Sequence, residues 1–95
     1  MRLKQEIKTF IKQQSACMFP GADVYLFGSR VHDEQNGGDI DILLLSDHLI
    51  DKKQFRLFRR EFYKKFGWQK IDLVQFSRHD QSVFKQLILK EARLL

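Results

Sequence analysis

The chain has one cysteine, Cys17, so no internal disulfide can brace it. Its neighbours Ala16 and Met18 are apolar and no cation flanks it, which suggests a small buried hydrophobe rather than a reactive thiol. No segment approaches the roughly 20 apolar residues that a membrane span needs. The opening stretch, Met1 to Lys12, mixes charged and apolar side chains and lacks the unbroken apolar core of a signal peptide. These absences point to a cytoplasmic protein with no membrane association. His32, His48 and His79 show no short metal-ligand spacing, and with one cysteine they give a zinc site little support. There is no internal repeat, low-complexity tract or linker, and 95 residues suffice for one domain, 1–95, and for no second.

What is present favours a folded globule. Hydrophobic residues make up 43% of the chain and nine are phenylalanine, enough to outweigh the 31% that are charged. The formal charge is +5, although several acids lie in apolar runs, so anionic ligands or partners are favoured.

Leu3, Ile7, Phe10 and Ile11 recur at helical spacing, predicting an amphipathic helix over 3–17 that ends before Pro20-Gly21. Val24 to Phe27 is a short apolar run interrupted by Gly28-Ser29, as for a buried strand feeding a turn or a short helix. A polar loop spans Asp33 to Gly38. Ile40 to Leu45 is aliphatic except for Asp41, of a kind expected for a strand covered on both faces. Asp51 can cap a helix that sets Phe55, Phe58, Phe62 and Phe66 on one side, and Gly67 is placed to end it. A third strand is expected over Ile71 to Phe76. Ser77, Asp80 and Ser82 compete to cap a last helix bearing Val83, Phe84, Leu87, Ile88 and Leu95. Strands alternating with helices indicate an α/β (α+β) layer, helices packed on a small mixed sheet.

The chemistry concentrates between Phe27 and Leu45. Asp39 and Asp41 stand at i and i+2, which on a strand directs both side chains to one face, where two carboxylates can clasp a hard cation. Asp72 interrupts the apolar run Ile71-Asp72-Leu73-Val74, where an unpaired charge is costly to bury. Each acid alone could be an edge or loop residue paired with a Lys or Arg; together they invite one explanation, Mg²⁺ holding a nucleotide phosphate. Gly28 allows close backbone approach and Ser29 adds a hydroxyl, a combination that can cradle a phosphate. Gly37-Gly38 would let the loop turn Asp39 towards Ser29.

These runs, LFGSR, GDIDILLL and IDLV, resemble the GS…DxD…D signature of the nucleotidyltransferase superfamily that shares the DNA polymerase β palm. More narrowly they resemble the minimal nucleotidyltransferases, the MNT antitoxins paired with HEPN-domain proteins. The resemblance implies a palm-type mixed sheet flanked by helices. It also implies that Gly28, Ser29 and Arg30 bind the nucleotide triphosphate, that Asp39 and Asp41 hold one or two Mg²⁺ ions, and that Asp72 completes the metal site or acts as base. The activity implied is transfer of AMP from ATP to a HEPN-type helical partner in a hetero-oligomer. Gly38 replaces the Ser common before the first Asp, and His32 stands where a second Arg often occurs.

Two other readings compete with this one. A non-catalytic antitoxin would occlude its partner while keeping the palm. A nucleic-acid binder would use the helix carrying Lys52, Lys53, Arg56, Arg59, Arg60, Lys64 and Lys65. The simpler account of that basic strip is a solvated face opposite the phenylalanines, and a third is a match for an acidic partner surface. Tyr25, Tyr63 and Trp68 are too scattered to form a stacking platform, and His32 alone of the histidines lies near the site.

Overall fold

The computed structural model describes residues 5–28, 39–67 and 69–95. The elements run α1 (Gln5–Met18), β1 (Asp23–Phe27), β2 (Ile40–Ser46), α2 (Lys52–Phe66), β3 (Ile71–Ser77), α3 (Val83–Glu91) and β4 (Arg93–Leu94). They build a four-stranded mixed sheet in the order β3-β2-β1-β4. β1 runs antiparallel to β2 and β4, whereas β2 and β3 are parallel, as the α2 crossover between them demands. The expected layer of helices on a small mixed sheet is what forms.

One sheet face is closed by aromatic packing. Ile40, Ile42 and Leu44 of β2, with Leu26 and Ile71, meet Ile7 and Ile11 of α1 and Phe55, Phe58 and Phe62 of α2 in a single core. Phe19, in the α1–β1 turn, stacks on Phe58 at 5.5 Å and meets Phe55 edge-on at 5.6 Å. Phe10 reaches Phe62 and Phe66 from α1 at 5.9 and 5.5 Å. The α2 phenylalanines recur every three or four residues, so they share a stripe and must pack together. Asp51 caps α2 by accepting from Lys53 N at 2.9 Å, and Gly67, at φ +73°, terminates it.

The last helix begins at Ser82, whose hydroxyl accepts from Lys85 N at 3.2 Å. Asp80 accepts from Ser82 N at 2.7 Å, and this bond holds its carboxyl below the ordinary range. Lys85 is buried, and its Nζ donates to the carbonyls of Ser77, Arg78 and Asp80 at 2.9 to 3.0 Å. One ammonium group thus gathers the β3–α3 turn beneath the helix. Arg78 pins the same end of the sheet, meeting Asp23 at 2.5 Å and Asp47 at 3.3 Å.

Two expectations differ from the structure. Cys17 is exposed: the buried stripe of α1 passes through Ile7, Ile11 and Ser15, and Cys17 lies about 200° around the helix from Ser15. Ser15 is buried in its place, and its hydroxyl is without a hydrogen-bond partner among the described residues. The last helix does not reach Leu95: Ala92 ends it in extended backbone, and Arg93–Leu94 adds the fourth strand on β1. Val83, Phe84 and Leu87 remain 69%, 61% and 58% exposed, so much of the apolar side of α3 is not core. The readings placed on Leu3, the 33–38 loop, His32 and Trp68 lie outside the described residues.

Candidate active site

Strand register brings the acids together. Phe27, Asp41 and Asp72 are Cα partners in one row across β1, β2 and β3, with neighbouring strands about 4.8 Å apart. Partners in such a row share a sheet face, and it is the face opposite Ile40, Ile42 and Ile71. Ile40, Ile42 and Leu44 of β2 therefore seal the core under α1 and α2, while Asp41 looks the other way, on the face it shares with the buried Leu43 and Leu45. Asp39 immediately precedes β2 and shares Asp41's parity. Its carboxylate lies 3.5 Å from Lys70 Nζ, and the backbone at that point is tied by Ile40 N donating to Lys70 O at 3.0 Å.

Asp41 is half-buried, and its carboxyl is held above the ordinary value near 3.8, chiefly by loss of solvent, then by the charges of Asp72 and Asp39; Lys70 acts in the opposite direction. Three negative groups acting on one another in a partly desolvated place form a site of negative potential that Lys70 offsets only in part. A hard divalent cation with oxygen ligands is the chemistry that relieves it. Among the described residues no three acidic, histidine or cysteine side chains converge as closely as a metal cage requires. The fit to Mg²⁺ rests on the donor set of Asp39, Asp41 and Asp72.

Gly28 closes the other side of Asp41. It has φ +78°, and a Cβ there would lie 3.1 Å from Asp41 Cγ and 3.3 Å from its Cβ, with Oδ2 nearer still. Any side chain would strain the backbone and strike the carboxylate. Beyond Gly28 opens a cleft of about 320 Å³ lined by Phe27, Gly28, Phe84, Leu87, Ile88 and Glu91. Its apolar wall from α3 borders the acidic row.

Of the predicted site residues, Gly28, Asp39, Asp41 and Asp72 are gathered at this end of the sheet. Ser29 and Arg30 lie outside the described residues. Sequence reasoning missed Lys70, which partners Asp39, and the α3 residues of the cleft. Lys70 directly precedes β3, so pairing β2 with β3 in parallel would have brought it beside Asp39; the α3 wall depends on tertiary packing with no local signal.

A family model described as "Polymerase beta, Nucleotidyltransferase" matches residues 5–95. No curated protein matches the chain. Among solved structures it is similar to a complex of tri-AMPylated Shewanella oneidensis HEPN toxin with MNT antitoxin, at 22% identity and TM-score 0.70, covering 97% of this chain and 71% of the other. It is similar to a toxin-antitoxin crystal structure with AMP-PNP, at 22% identity and TM-score 0.73, covering 92% and 70%. It also resembles a putative nucleotidyltransferase, at 26% identity and TM-score 0.62, covering 97% and 99%.

Proposed function

The chain belongs to the polymerase β nucleotidyltransferase family, and from that premise we propose that it is an Mg²⁺-dependent adenylyltransferase which transfers AMP from ATP to a partner protein. In this reading it is the antitoxin of a HEPN/MNT pair and works in the cytoplasm, where ATP is available. The observation that carries the proposal is the row Phe27–Asp41–Asp72, with Gly28 against Asp41.

Asp39 and Asp41 would hold the metal, with Asp72 completing the set. The bound ion would neutralise phosphate charge and orient the α-phosphorus for in-line attack. Gly28, lacking a side chain, lets the triphosphate approach the strand end, with Ser29 and Arg30 as further phosphate contacts. The acceptor hydroxyl oxygen attacks the α-phosphorus, the bond to the oxygen bridging towards the β-phosphorus breaks, and pyrophosphate leaves. The acceptor proton passes to a carboxylate, for which Asp72 is the candidate.

The acceptor is assigned to a partner protein. The apolar residues of α3 at the cleft support this. Phe84 and Leu87 are 61% and 58% exposed and line the cleft beside Gly28. The MNT antitoxin of similar fold is in complex with a tri-AMPylated HEPN toxin, which supports the same class of acceptor here.

The test is transfer of label from α-labelled ATP with Mg²⁺ into a lysate of the source cell, against an Asp39→Asn, Asp41→Asn variant and a γ-labelled control. A protein band labelled only by the parent, and only from the α-position, is the expected result, with a loss of about 10³-fold or more in the variant. If parent and variant label alike, the proposal fails and occlusion of a partner takes its place.

A further inference from the structure

Outside the acidic row, the largest concentration of chemistry lies on α2. We propose that the stripe Lys52, Arg56, Arg59 and Tyr63, overhanging the edge strand β3, binds the backbone and a base of single-stranded nucleic acid. These residues stand at i, i+4, i+7 and i+11, which puts them in one file along the helix with about 5 to 6 Å between successive Cβ atoms. The file flanks the buried Phe55–Phe58–Phe62 stripe on its β3 side. Lys52, Arg56 and Arg59 there line a cleft of about 360 Å³ with Phe55, Leu73 and Gln75. Its wall is rigid, because the Gln75 amide accepts from Ile50 N at 2.7 Å and donates to Ile50 O at 2.9 Å.

Charge identifies the occupant. Among the described residues, the ion pairs join Lys64 to Glu61, Lys70 to Asp39, and Arg78 to Asp23 and Asp47. No described acid pairs with Lys52, Arg56 or Arg59, so three cations face the cleft uncompensated. The cleft opens on the helix-covered side of the sheet, away from Asp41 and Asp72, so the phosphates of a nucleotide in the acidic site do not explain it.

Nucleic acid fits better than an acidic protein surface. Protein interfaces are depleted of charge at their centre, whereas here Lys52, Arg56 and Arg59 surround an apolar floor of Phe55 and Leu73. Nucleic-acid interfaces are polar and strongly positive. Tyr63, 40% exposed, continues the file one turn past Arg59 and offers a ring on which a base can stack, held edge-on by Phe62 at 6.2 Å.

The test is fluorescence anisotropy of the full chain with a labelled oligouridine of about 12 nucleotides, from about 50 to 200 mM salt. Binding should weaken steeply with salt. Lys52→Gln, Arg56→Gln, Arg59→Gln should reduce affinity at least tenfold at the low-salt end and flatten the log–log salt slope by about 2, since each single-strand phosphate contact contributes about 0.7. Tyr63→Leu should cost about fivefold or more with the slope unchanged. Lys53→Gln, Arg60→Gln, Lys64→Gln removes the same charge from the adjoining face and should cost less than threefold; circular dichroism melts check that all variants fold. Equal losses in the two triple variants overturn the proposal in favour of net charge alone. Absence of RNA binding overturns it too, and capture of polyglutamate in its place would reassign the stripe to an acidic protein.

Discussion

The two faces of the sheet are built on opposite terms. On one, β2 presents Ile40, Ile42 and Leu44 to a core closed by α1 and the phenylalanines of α2. On the other it presents Asp41 beside Asp72, ahead of the buried Leu43 and Leu45, with an open cleft at its rim. The first face gathers apolar area; the second keeps like charges close together at a cost in stability. A domain of this size can hold such a site because strand alternation turns Asp41 away from Ile40 and Ile42, while Leu43 and Leu45 keep the rest of the acid-bearing side of β2 buried.

The largest break in this comparison comes from the closed face. Phe58 is fully buried and packs against Phe10 at 6.1 Å and Phe19 at 5.5 Å. Phe58→Ala should cost about 3–5 kcal/mol, a large part of the stability of a small domain. Chemical denaturation should show the variant largely unfolded or strongly shifted to lower denaturant, with transfer activity lost along with the fold.

A smaller break tests how the open face keeps its cover. Lys85→Met preserves the side-chain stem and removes the ammonium that binds the carbonyls of Ser77, Arg78 and Asp80. Leaving half-buried carbonyls unsatisfied costs about 1–3 kcal/mol, about 4–8 °C of Tm per kcal/mol in a domain this small. Hydrogen exchange should speed up in α3 more than in α2. Equal acceleration in both helices would show that the two faces unfold as one unit.

The closed face was legible from spacing: Phe55, Phe58, Phe62 and Phe66 fall on one stripe, and Asp51 and Gly67 mark the helix ends where caps require them. The acids were legible too, because a carboxylate inside an aliphatic strand has few inexpensive explanations. What escaped was non-local. Cys17 reads as apolar among apolar neighbours, yet the helix register set by Ile7 and Ile11 turns it to solvent and buries Ser15. The apolar residues of α3 carry no mark saying which of them meet the sheet and which stay outside. Arg93–Leu94 is too short to announce a strand, and it forms because β1 offers it an edge. Lys85 reads as a surface lysine until the β3–α3 turn folds its carbonyls around it.

The finest distinction between the faces is electrostatic. Burial and the charges of Asp72 and Asp39 raise the Asp41 carboxyl above its ordinary value near 3.8. The folded chain therefore binds this proton more tightly than the unfolded chain, and the contribution of Asp41 to stability falls as pH rises from about 3.8 through the raised value, staying low above it. Asp41→Asn keeps the shape and removes the charge, so at neutral pH the metal-free variant should melt about 2–4 °C above the parent, the effect of one like-charge cross-strand pair. The gain should vanish below the ordinary carboxylate range, where the parent acid is also neutral. Adding Mg²⁺ should reverse the order, raising the Tm of the parent and not of the variant, because only the parent offers the charge that a cation would stabilise by binding the folded state. Thermal melts at two pH values, with and without Mg²⁺, separate the outcomes. A variant less stable than the parent without metal at neutral pH would mean that Asp41 holds the sheet together, and that the open face is as structural as the closed one.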